Sequence, residues 1–137
     1  MFLNQLGDEE KVTFLEIAHH LAWGNDDFSD KERAVIDGYC NEMRIKNIEF
    51  NNATFNLEKT LAKITSPRNQ KIVFLEIMAL ILAEHLNSLE TLHVNERKIL
   101  DTIANAFDIT PTMISIYMEW TKAVLSLSTQ GAALLEL

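Results

Sequence analysis

Among the side chains able to do chemistry, Glu32 and Glu96 form the most informative pair. Each is expected as the third residue of a helix, one turn before an apolar stripe. That stripe opens with Val35 and Ile36 in one case and with Ile99 and Leu100 in the other. Both carboxylates should therefore lean inward. Asp26 and Asp27 stand in the turn ahead of Glu32. If the two segments pack face to face, these four carboxylates make a hard-oxygen site suited to Ca²⁺, Mg²⁺ or Mn²⁺. The competing reading needs no ion: at each helix start the glutamate serves as a capping-box residue, as in Ser29-Asp30-Lys31-Glu32.

Other candidates carry less. Glu16 and His19 have the Glu-x-x-His spacing of helical di-metal sites, but a second such motif is required. The corresponding place holds Glu76 and Ala79. Helical projection puts Glu16, His19 and His20 on or near the outward side, where a solvated Glu16–His20 pair is expected. Glu76 shares its face with Ile72, Ala79 and Leu80, and a carboxylate amid apolar surface needs a partner or a raised pKa. A Lys or Arg from a neighbouring helix is the expected partner, a partner-binding surface the alternative. His85 and His93 flank a loop with no Cys beside them, a sparse start for zinc. Cys40 falls on an apolar stripe and reads as core. There is no Ser-His-Asp order, phosphate loop or dinucleotide glycine fingerprint.

The elements that would position these groups are helices. Asp8–Trp23 is expected as a helix with Asp8 as its cap and Glu9 and Glu10 favouring its positive end, and it puts Phe14, Ile17, Ala18, Leu21 and Ala22 on one face. Ser29–Met43 follows, with Val35, Ile36, Tyr39, Cys40 and Met43 inward. Residues 45–56 are polar and Asn-rich and read as a connector. Leu57–Ile64 is expected as a short helix. Ser66-Pro67 and Thr110-Pro111 each combine a cap with a first-turn proline. The first opens the most apolar helix, to about His85; the second opens a helix to about residue 127. His93–Phe107 lies between them. After Gly131 the tail is short and apolar and is expected to dock as a last turn. No segment alternates convincingly as a strand does.

These helices repeat. Residues 11–18 and 71–78 share Lys, Phe, Leu, Glu and Ile, five of eight positions. Residues 32–45 and 96–109 share five of fourteen: Glu32/Glu96, Arg33/Arg97, Asp37/Asp101, Asn41/Asn105 and Ile45/Ile109. The offset grows from 60 to 64, so the second loop is four residues longer. The fold expected is one all-α domain, a bundle of six to seven helices built from two related hairpin halves, about 8–45 and 67–109, on a pseudo-twofold axis.

Composition narrows the function classes. The net charge is −8 over 137 residues, and residues 1–42 carry ten acids against three bases. Nucleic acid is an unsuitable partner, since phosphate binding needs a basic stripe. The acidic N-terminal half suits cations or a basic protein. One cysteine and the lack of a signal-like start favour a reducing, cytoplasmic setting. The apolar run Ile77–Ala83 is too short to span a bilayer, which takes ~20 residues.

An apolar helix, a short acidic turn and Ser-x-x-Glu opening a second helix resemble the TerB-like (tellurite-resistance B) family. Phe14-Leu15-Glu16-Ile17-Ala18 and Asn25-Asp26-Asp27-Phe28-Ser29-Asp30-Lys31-Glu32 carry the likeness, which covers roughly 8–109. The family's Asp-Gly falls on Asn25-Asp26. The resemblance implies a bacterial, cytoplasmic, stress-associated binding module, sometimes proposed to bind metal, with no established enzymatic chemistry. The expected function is therefore non-enzymatic binding of another protein through Asp26, Asp27 and Asp30, with a divalent cation at Asp26, Asp27, Glu32 and Glu96. Two alternatives stay open: a carboxylate-based metal-dependent enzyme, and a structural dimerisation domain.

Overall fold

The computed structural model describes residues 1–23, 30–84 and 94–137. Among them it has six α-helices and no strand. A short 3-10 turn at Leu3–Gln5 precedes α1 (Asp8–Trp23), α2 (Asp30–Met43), α3 (Leu57–Leu61), α4 (Pro67–Glu84), α5 (Val94–Ala106) and α6 (Pro111–Leu135). The all-α bundle expected from the sequence is what the chain forms.

Local chemistry explains most helix starts. At α1 the cap is Gly7 and not Asp8, which is already the first helical residue, and Glu10 reaches back to accept from the Gly7 N–H at 3.0 Å. This is the glutamate half of a capping box. Asn56 caps α3 by accepting from the Lys59 N–H at 2.9 Å. Pro67 and Pro111 are the first helical residues of α4 and α6, where a missing N–H costs nothing. Thr110 accepts from the Met113 N–H at 3.2 Å.

Packing follows the repeat. The helices α1 and α2 pack together, as do α4 and α5, and α1 meets α4. Phe14 on α1 and Phe74 on α4, equivalent in the repeat, are both fully buried. Each meets a tyrosine ring, Tyr39 at 5.1 Å and Tyr117 at 5.9 Å. The most apolar helix, α4, is covered on its second side by α6, as its lack of a polar back requires.

The ends of α2 and α5 match as well. Arg44 and Asp108 both have left-handed backbone, with φ of 58° and 54°. Ile45 N–H donates to the Cys40 carbonyl at 3.1 Å, and Ile109 N–H to that of Ala104 at 2.9 Å. Each forms a Schellman cap with a non-glycine residue at the left-handed position. The two caps lie 64 residues apart, the offset of the sequence repeat. Arg44 is exposed and carries a Cβ penalty there. Arg44→Gly is expected to stabilise the fold by about 0.5–1 kcal/mol, once the greater freedom of unfolded glycine is subtracted. A urea midpoint that stays put or falls would contradict this.

Two expectations need correction. The last helix does not stop near residue 127; α6 runs on to Leu135, through Gly131. One glycine costs a helix only about 1 kcal/mol relative to alanine, and the Ala132-Ala133-Leu134-Leu135 that follows is strongly helix-forming. His19 is also not on a polar back: it is 7% exposed. Residues 45–56 are a cover over that side of α1 as well as a connector.

Candidate functional site

Glu32 and Glu96 hold equivalent places in the first turns of α2 and α5, and both are more than nine-tenths buried. The inward lean expected of them is real. Helix periodicity explains it, because each precedes its buried stripe by three to four residues. Each has interactions within the fold. Asp26 and Asp27 lie outside the described residues, as do Ser29, His85 and His93. Among the described residues, no three His, Cys, Asp or Glu side chains gather as a metal centre.

The outward face of α2 has a different character. Asp30, Ala34, Asp37, Gly38 and Asn41 are exposed along it. A Cβ added at Gly38 would meet nothing within 4 Å. Glycine inside a helix costs about 0.8–1.0 kcal/mol relative to alanine. Among the described residues nothing requires Gly38 to lack a side chain. The result is a low-relief face from which the two aspartates stand out.

Glu76 is 6% exposed and fully engaged. Its partner is neither Lys nor Arg. One carboxylate oxygen accepts from the Met1 ammonium at 2.7 Å and from the Phe2 N–H at 2.9 Å. Glu42 also meets that ammonium, at 2.5 Å, and accepts from the Leu3 N–H at 3.1 Å. Glu42 from α2 and Glu76 from α4 thus clamp the chain's first three residues. Burial of the ammonium lowers its pKa, but hydrogen bonds and charge from Glu42 and Glu76 outweigh that, and the net shift is upward. Tyr39 lies close by; its hydroxyl donates to the Glu76 carbonyl at 3.4 Å, and burial followed by the charges of Glu76 and Glu42 raises its pKa strongly.

The two histidines of α1 belong to the connector. His19 Nε2 meets Asn47 Oδ1 at 2.9 Å, and the ring stacks on Phe50 at 5.4 Å. Asn47 Oδ1 also accepts from the Ile48 N–H at 2.9 Å, so the histidine nitrogen is the donor. His20 Nδ1 meets Asn52 Oδ1 at 2.8 Å beside Phe55. Glu16 faces Lys63 Nζ at 4.0 Å instead of His20. The di-metal spacing is therefore spent on structure. The asparagines read in sequence as linker composition are hydrogen-bond partners; their signal was Asn47 and Asn52 interleaved with Phe50 and Phe55. An open groove of about 500 Å³ beside His20, Phe55 and Lys98 holds no clustered acid or nucleophile among its lining residues. Cys40 is buried in the core, where burial and then the charge of Asp37 push its thiol up, away from reactive thiolate.

Among the described residues the fold defines an all-helical bundle whose polar groups are chiefly engaged in caps, clamps and covers, with no helix long and apolar enough to cross a membrane. Compared with protein-family models, curated proteins and solved structures, the chain gives no match in any of the three.

Proposed function

We propose that the chain is a non-enzymatic, cytoplasmic helical binding module of the TerB-like kind, which takes a basic protein partner on its acidic N-terminal half. The observation that carries this reading is the outward face of α2. Asp30 and Asp37 are exposed there, and Gly38 lacks a side chain that the fold has room for. A glycine kept at a cost in helix stability suits close approach by a partner's backbone. Asp26 and Asp27 precede α2 in the sequence and add to the acidity of this half of the chain. A divalent cation bound by Asp26, Asp27, Glu32 and Glu96 belongs to the same proposal.

Affinity capture with the wild-type chain and with a variant carrying Asp26→Asn, Asp27→Asn and Asp30→Asn tests the surface. The expected result is a basic protein retained by the first and lost by the second. An identical retained set would overturn the reading. The cation is tested separately by melting in Ca²⁺, Mg²⁺ or Mn²⁺. An ion at 100 times its Kd stabilises by about 2.7 kcal/mol, a rise in Tm that Glu32→Ala should abolish. No rise in the wild type ends the cation part alone.

A further inference from the structure

The last helix is longer than the body it packs on. Thr121 on α6 is buried and Leu125 half-buried against the core. Ser128, Ala132 and Leu135 continue that stripe at helical spacing, yet all three are exposed. From about residue 126 onward α6 therefore overhangs the bundle. Between Ala123 and Leu135 it carries no charged residue. Helices shorter than about 12–15 residues are marginal in water without tertiary packing. This overhang is shorter than that, and none of the described residues buries it.

A second stripe runs along the opposite side. Ile116, Trp120, Ala123, Leu127, Gln130, Leu134 and Leu137 are all exposed. Their spacing is 4, 3, 4, 3, 4 and 3, the 3.5-residue repeat of a two-helix seam. Ile116 is 60% exposed, Leu127 65% and Leu134 67%. Phe2 covers Trp120 in part, with ring centroids 6.1 Å apart. One polar residue, Gln130, interrupts the seam, as register-fixing residues do in coiled coils.

We propose that this stripe is the interface for a second copy of the chain, with the two α6 helices antiparallel and crossing at Leu127. That register sets Leu127 against the partner's Leu127 and Trp120 against the partner's Leu134. Each overhang then lies along the body-side half of the partner's stripe, so the contact supplies tertiary packing to a stretch of helix that is otherwise exposed. Charge selects the same arrangement. Each copy carries −8, and its α6 has no net charge, Glu119 and Lys122 being its two charged residues. Antiparallel helices place the two acidic bodies at opposite ends of a seam about 33 Å long, well beyond the ~8 Å screening length at physiological salt. A parallel pair would set them side by side. Five large apolar side chains per copy, with their neighbours, bury on the order of 800 Å² per partner, the size of a standard stable interface. The surface is distinct from the α2 face, so either proposal can fail alone.

Sedimentation equilibrium of the full chain tests it. The wild type is expected at twice 15.6 kDa in the micromolar range. Leu127→Glu places two carboxylates at the crossing point and is expected to give 15.6 kDa with unchanged helical circular dichroism, since Leu127 is exposed in the single chain. Mixed Trp120→Cys and Leu134→Cys chains should form a disulfide-linked heterodimer on mild oxidation, while neither alone forms a linked homodimer. A wild type that stays at the single-chain mass to 100 µM would overturn the proposal, as would a Leu127→Glu variant that still dimerises. Linked homodimers of Leu134→Cys alone would overturn the antiparallel register. A single-chain wild type that sediments with phosphatidylcholine vesicles would assign the stripe to lipid and also overturn it.

Discussion

Phe74→Ala is expected to remove about 3–5 kcal/mol of folding stability, the usual range for truncating a fully buried phenylalanine. Phe74 has no exposed surface. It sits on α4, the helix that meets α1, α5 and α6, and its ring is 5.9 Å from that of Tyr117 on α6. The cavity left behind would open beside Tyr117 in a fully buried part of the core. Urea unfolding followed by circular dichroism reads the effect as a large drop in midpoint. Phe14→Ala, its repeat equivalent, should fall in the same range. A loss below 1 kcal/mol for Phe74→Ala would mean that α4 is not the centre of the core. Total stabilities of domains this size are ~5–15 kcal/mol, so either substitution alone is expected to bring the chain near its unfolding threshold.

Glu76→Ala is expected to cost about 1.5–3 kcal/mol, the range for hydrogen bonds to charged groups. It leaves the Met1 ammonium with Glu42 alone, and the Phe2 N–H without its acceptor. Glu76→Gln keeps an acceptor and should cost less. The clamp also makes stability depend on pH. The ammonium's pKa in the folded chain is raised above its ordinary 8.0, so the folded state holds its proton more tightly than the unfolded state. Its contribution is therefore complete below pH 8 and lost as pH rises through the folded value. Urea midpoints of the wild type should fall as pH rises above 8, and those of Glu76→Ala should fall less. Acetylation of the Met1 amine removes the charge at any pH and should reproduce the high-pH loss. Parallel profiles for the wild type and Glu76→Ala would contradict the clamp.

Much of the fold was legible because its signals are local. The first turn of a helix is readable from the residues that cap it. Ser66-Pro67 and Thr110-Pro111 therefore marked α4 and α6 to the residue, and the acids after Gly7 marked α1. The repeat was equally visible, and the two left-handed caps at Arg44 and Asp108 are its backbone counterpart. The candidate site was legible only in part. Periodicity turned Glu32 and Glu96 inward, while the acidic turn expected beside them lies outside the described residues.

Glu76 divides what the sequence determined from what only the tertiary structure decided. A carboxylate among Ile72, Ala79 and Leu80 had to find a partner or take up a proton, and that followed from the helix period and the cost of burying an unpaired ion. Which partner it would be did not follow, because the answer lies 75 residues away at Met1, across a packing arrangement that no local pattern encodes. His19 gives the same lesson from the other side. Projection placed it outward, and a chain segment folded over it. The sequence by itself determined an all-α bundle of six to seven helices and most of their buried faces, since each depends on residues within a turn or two of one another. Tertiary structure decided which faces are covered and by what, since coverage depends on where distant segments come to rest.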